Sequence, residues 1–108
     1  MAMRGTKKKR LERAGWTVGS AAAFLELSDE EAALVEMRLA LSESLRERRQ
    51  RAHLTQTALA KRLGSSQSRV AKMEAGDPTV SLDLLVRALL ALGASQRDVA
   101  KALSRRVA

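Results

Sequence analysis

The sequence contains no cysteine, a single proline, a single histidine and only two aromatic residues, Trp16 and Phe24. Without cysteine, neither a disulfide framework nor a thiolate metal site can form, a composition that suits a reducing cytoplasm. The lone His53 has no His or Cys partner for a usual metal site, and it falls between two helical patterns, as a junction residue would. Two aromatics cannot supply the stacking platforms on which single-stranded DNA and most RNA modules hold bases. No long apolar run is present: the stretch after the basic N-terminus extends only from Ala21 to Leu25, too short for a signal-peptide core or a membrane span. A soluble, unexported, cytoplasmic protein with no membrane partner is therefore expected. No phosphate-binding glycine loop occurs, and nothing positions His53 or a lysine as a base beside a nucleophile. The cluster Asp29, Glu30 and Glu31 is better explained by a helix N-terminus than by acid-base chemistry. No catalytic, cofactor-binding or metal-binding residue is expected, and the protein is not read as an enzyme.

What the sequence does have is charge, unevenly spread over a length that suits one domain. Twenty Lys and Arg against twelve Asp and Glu leave a formal charge of +8, enough to attract polyanions of many kinds. Residues 1–13 carry +5, 14–45 carry −5, 46–74 carry +6 and 75–108 carry +2. Two basic blocks thus flank an acidic one, which suggests one surface for nucleic acid and another for a different partner. With stacking platforms excluded, duplex DNA is the polyanion of choice. The run from Lys7 to Arg10 fits an arm reaching a groove or a solubilising tail equally well.

Capping residues and breakers predict an all-α chain. Lys7 to Ala14 can form two helical turns ended by Gly15, and Ala21 to Leu25 a second short helix. Ser28, followed by three acids with Glu31 at the capping-box position, opens a long helix from Asp29 to about Ala52. Leu34, Met37, Leu41, Leu45 and Ala52 recur along one face of it, Ala32, Val35 and Leu39 add a second stripe, and Arg46, Arg48, Arg49 and Arg51 are expected to make its exposed face basic. Thr55 then caps a helix from Gln56 to Leu63, broken by Gly64, and Ser66 caps another from Gln67 to Ala75, broken by Gly76, Asp77 and Pro78. Ser81 starts a helix through Leu92 that Gly93 ends, and Ser95 starts a last one through about Arg106. No run of alternating β-branched and aromatic residues predicts a strand.

The segment from Leu54 to Gly76 carries the function. Leu59 and Leu63 form the buried stripe of its first helix, Ala60 is small where a second helix crosses, and Gly64 allows a sharp turn. Val70 and Met73 anchor the second helix, which leaves Gln67, Ser68, Arg69 and Lys72 facing outward. Leu54-Thr55-Gln56 opening the first helix, Leu59-Ala60 inside it, the turn glycine, the Ser66 cap and Glu74-Ala75-Gly76 at the end together closely resemble the phage-repressor and Cro-like helix-turn-helix family, often called XRE. The resemblance covers about Ser42 to Ser95, and Ser81-Leu82, Leu85 and Ala91-Leu92-Gly93 look like that family's closing helices. The loop from Asp77 to Val80 departs from it by lacking extra basic residues.

This resemblance implies an all-α, five-helix phage-repressor-like helix-turn-helix domain over residues 41–108, preceded by a helical N-terminal extension over 1–40. It implies double-stranded operator DNA as ligand and DNA-binding roles for Gln56, Ser66, Gln67, Ser68, Arg69 and Lys72. Gln56 looks like a clamp on a backbone phosphate, and Gln67 suits a bidentate pair with adenine. Arg69 suits guanine or a phosphate, Ser68 a base or the backbone, and Lys72 a base or the flanking phosphate. Arg46, Arg48, Arg49, Arg51, Lys61 and Arg62 are weaker candidates for phosphate contact, each equally readable as a solvated charge.

A domain of this kind needs about 60 to 70 residues, a size at which single cores become self-sufficient, so the N-terminal part calls for its own account. The segment from Leu11 to Leu41 looks like the N-terminal extension of HigA-type antitoxins, which bind a small basic RelE/HigB-type toxin and repress their own operon as dimers. An acidic block from Glu26 to Glu43 suits such a partner. The alternative is that Trp16, Val18, Phe24, Leu25 and Leu27 cap the long helix or pack on a second subunit. A homodimer is expected, with Leu89, Leu90, Val99 and Leu103 of the closing helices as interface candidates slightly ahead of the N-terminal part; the alternative is that these four complete the core. The competing functional readings are a stand-alone XRE-type regulator and an interaction adaptor that no longer reads DNA.

Overall fold

A serine followed by three acids is enough to start the first helix, and the computed structural model, which describes residues 28–107, shows how. In α1 (Asp29–Arg51) the Ser28 hydroxyl accepts the amide of Glu31, while the Glu31 carboxylate accepts the amide of Ser28, both at 3.1 Å. Two otherwise orphaned N–H groups are satisfied reciprocally, and Asp29, Glu30 and Glu31 sit at the positive end of the helix dipole. The other four helices among the described residues are α2 (Gln56–Leu63), α3 (Gln67–Ala75), α4 (Leu82–Ala91) and α5 (Gln96–Val107). Thr55, Ser66 and Ser81 cap α2, α3 and α4 by accepting the amides of Ala58, Arg69 and Leu84. Ser95 and Asp98 form a second reciprocal box at the start of α5. The fold is all-α, with no strand among the described residues.

The helix ends follow one pattern. Beyond α2, the amides of Gly64 and Ser65 turn back to the carbonyls of Lys61 and Ala60, with Gly64 in the left-handed region at φ 66°. The end of α1 repeats this geometry without a glycine: His53, at φ 57°, and Leu54 donate to Gln50 and Arg49. His53 is thus the junction residue expected, in a conformation that costs an L side chain about 1 kcal/mol.

The core lies where α1 meets α4 and α5 and where α3 meets α1 and α2. Leu41 and Leu45 of α1, Leu59 and Ala60 of α2, Val70 and Met73 of α3, and Leu85, Ala88 and Leu89 of α4 are its buried centre. Leu63, Val99 and Leu103 pack against it partly buried. Two expectations are corrected here. Leu34 is 42% exposed and Ala52 is exposed in the turn, whereas Ala40 and Ser42, on neither expected stripe, are buried; Ala32 of the second stripe is buried as expected. A heptad-spaced line shows which face of a helix turns inward, but not how far its neighbours extend along it. Of the interface candidates, Leu89 is a core residue, while Leu90 is 45% exposed.

The helix α1 runs without interruption through residue 40. Its Arg38 donates from Nε to the carbonyl of Val80 at 3.0 Å, which ties the loop that follows α3 to α1. The short helices expected from Lys7 to Ala14 and from Ala21 to Leu25, and with them Trp16, Val18, Phe24, Leu25 and Leu27, lie outside the described residues.

Candidate nucleic-acid interface

The candidate surface is built by two short helices that cross closely. Small Ala60 is buried where α2 meets α3, and Val70 and Met73 fill the underside of α3. Because α3 turns 100° per residue, committing positions 70 and 73 to the core directs positions 68 and 72 to the opposite side and 67 and 69 to the flanks. Gln67, Ser68, Arg69 and Lys72 are exposed, in keeping with that spacing, and Ser66, the N-cap four residues before Val70, is exposed as well. A cleft of about 200 Å³ lies beside them, lined by Ser66, Ser68, Arg69, Lys72, Thr79 and Val80. The loop from Asp77 to Val80 thus forms one wall of the surface. It is shaped by Asp77, whose Oδ1 accepts the Thr79 hydroxyl at 2.6 Å and the Thr79 amide at 2.8 Å. The Thr79 hydroxyl, then its amide, and the nearby Lys72 charge hold the Asp77 carboxyl below its ordinary range.

Gln56, half-buried at the start of α2, does not stand alone. Its Oε1 accepts from Nε2 of Gln67 at 2.6 Å, and its own Nε2 donates to Oε1 of Glu74 at 3.1 Å. Glu74, with only 4% of its side chain exposed, is gripped from α1 by Arg49, whose Nη2 donates to Oε1 at 3.0 Å and whose Nε donates to Oε2. The same guanidinium donates from Nη1 to the carbonyl of Leu54 at 2.8 Å, which closes the turn between α1 and α2. The Glu74 carboxylate raises the Arg49 pKa further above its already high value. A continuous chain of hydrogen bonds therefore runs from α1 through the end of α3 and the start of α2 to the first residue of α3.

This arrangement corrects the expectation of a basic exposed face formed by Arg46, Arg48, Arg49 and Arg51. At 100° per residue those positions lie at about 0°, 200°, 300° and 140° around the helix, so they ring it. Arg46 and Arg51 are exposed, while Arg49 binds Glu74 and Arg48 turns toward Asp98 of α5, 3.5 Å away. Lys61 and Arg62 remain exposed on α2. Sequence reasoning missed Glu74 and Arg49 as supports of the site. The one available signal was an acid at the C-terminal end of α3, where the helix dipole disfavours negative charge and a cationic partner is called for.

Five helices with a tight α2–α3 pair, an outward polar face and a closing pair define the helix-turn-helix class. Residues 40–104 match the family model described as a helix-turn-helix domain, and with more than half of its length matched, the chain belongs to that family. No curated protein and no solved structure matches it. Membership supports a DNA-binding regulator as the coarse function. No helix among the described residues is long and apolar enough to cross a membrane.

Proposed function

We propose that the protein is a sequence-specific repressor of the XRE type that lays α3 in the major groove of a duplex operator. The observation that carries this reading is the exposed Gln67, Ser68, Arg69 and Lys72 face at the N-terminal half of α3, above a buried underside. Gln67 presents an amide suited to adenine, and Arg69 a fork suited to guanine or a phosphate. Ser66 and Ser68, whose hydroxyls lie 3.3 Å apart, line the cleft together with Lys72 and make it a seat for a backbone phosphate. Gln56 holds Gln67 from behind and stands at the N-terminus of α2, next to the path of the backbone. One such helix reads few base pairs, so the operator-bound form is a homodimer on half-sites about 34 Å apart. Exposed Leu90 on α4 is the side chain that favours the closing helices as its interface.

The test is selection from random duplexes at physiological salt, followed by the double variant Gln67→Ala/Arg69→Ala. The variant is expected to lose preference for the selected sequence while keeping low-salt, charge-driven binding. Unchanged preference in the double variant rejects α3 as the reading helix.

The finer reading is an autoregulating antitoxin of a type II pair, with a RelE/HigB-type toxin as second partner. It is supported by the −5 charge of residues 14–45, most of which lies ahead of the helix-turn-helix match, and by the acidic first turn of α1. Co-expression with the neighbouring reading frame tests it: a basic, RelE-like product that co-purifies with the protein bears it out, and a neighbour of another kind leaves a stand-alone regulator.

A further inference from the structure

An amide side chain turned by 180° fills the same space, so only its partners decide which end is oxygen and which is nitrogen. At the reading surface that choice matters, because adenine offers a donor and an acceptor in a fixed order along its major-groove edge. Gln67 is exposed and its Oε1 has no protein partner among the described residues, so nothing at the surface itself sets its sense.

We infer that Glu74 is a specificity-determining positioning residue, setting from beneath the surface the donor-acceptor order that Gln67 presents to a base. A carboxylate only accepts, and the Arg49 guanidinium that grips both its oxygens only donates. The Gln56 end that meets Glu74 Oε1 must therefore be its NH2, which turns Gln56 Oε1 toward Gln67. An oxygen facing Gln67 requires the NH2 of Gln67 in return, at 2.6 Å. Gln67 is left with Oε1 as an outward acceptor and its second N–H as an outward donor, the pattern that complements N6 and N7 of adenine. A charge fixed by α1 thus reaches the base through two amides without touching DNA. Glu74→Gln keeps the shape but lets position 74 donate or accept, so both senses of the chain become available.

This inference rests on the reading of α3 as the recognition helix, and the experiment separates the two. Competition binding is measured on the selected operator with all four base pairs placed at every position, at a temperature where each variant is folded. Gln67→Ala first locates the position that Gln67 reads. Glu74→Gln and, independently, Gln56→Met, which leaves the Arg49–Glu74 pair in place, are then expected to lower preference at that position roughly tenfold while preferences elsewhere in the half-site persist. Undiminished preference at that position in Gln56→Met, or in folded Glu74→Gln, overturns the relay, as does an equal loss at every position, which signifies a merely structural role. A Gln67→Ala protein with no position-specific loss overturns the reading of Gln67 itself, and the relay with it. Should Glu74→Gln fail to fold, Gln56→Met decides.

Discussion

A Cβ added to Gly76 would stand 2.8 Å from Cδ2 of Leu39, so the end of α3 abuts α1 closely enough that a side chain there would require Leu39 to move. Gly76 also holds φ 72°, which most L residues avoid. Gly64 holds nearly the same φ but has nothing within 4 Å of its would-be Cβ. Gly64→Ala is expected to cost about 1 kcal/mol from conformation alone, and Gly76→Ala more, about 2 kcal/mol, because Leu39 must also move. Denaturant midpoints of the two variants measure the difference. Adding Leu39→Ala to Gly76→Ala should narrow it.

The Arg49–Glu74 pair joins α1 to α3 with 13% and 4% of the two side chains exposed. Arg49→Met leaves a nearly buried carboxylate with Gln56 as its remaining partner and is expected to destabilise by about 3 kcal/mol. The double variant Arg49→Met/Glu74→Met should recover much of that loss, since it leaves no unpaired charge. A double-mutant cycle on urea unfolding reads the coupling, and strictly additive losses would show that the pair does not act as a unit.

His53 ends α1 at φ 57°, where glycine is the usual occupant. Its side chain is exposed, so His53→Gly loses little packing. The variant is expected to be more stable by about 0.5 to 1 kcal/mol, the relief of the left-handed backbone exceeding the added freedom of the unfolded chain. A lowered thermal midpoint would contradict this.

Asp98 closes the box at the start of α5. Its carboxyl is held below the ordinary range by the Ser95 amide, then the Ser95 hydroxyl, with Arg48 and Lys101 adding attraction. A carboxyl whose folded pKa is depressed contributes stability that is present above the unfolded value, about 3.9, and is lost as pH falls through the folded value. Asp98→Asn should therefore be less stable than the parent at pH 7, and the gap should close as the pH is lowered below about 4. Unfolding curves between pH 7 and 2 check this, and a gap constant with pH would assign the effect to packing.

The helix limits were legible because caps and breakers act within a few residues. Ser28, Thr55, Ser66 and Ser81 cap the helices expected of them, and Gly64 and Gly76 stop α2 and α3 by hydrogen bonds that close within six residues. The outward face of α3 was legible for a related reason: once Val70 and Met73 are inward, helical geometry orients Gln67, Ser68, Arg69 and Lys72. The exposure of Leu34 was not, and for Leu89 the choice between interface and core stayed open, since both depend on how neighbouring helices lie across an apolar face.

By itself, then, the amino-acid sequence determined an all-α chain, its punctuation and the polar face that α3 offers, because each follows from local propensity and a 3.6-residue period. Only the tertiary structure decided what stands behind that face. Arg49 meets Glu74 across 25 positions of chain, Gln56 meets Glu74 across 18 and Gln67 meets Gln56 across 11. No periodicity encodes such pairs. They form because packing brings one turn of α1, the start of α2 and both ends of α3 together, and because a buried carboxylate is stable only where donors surround it.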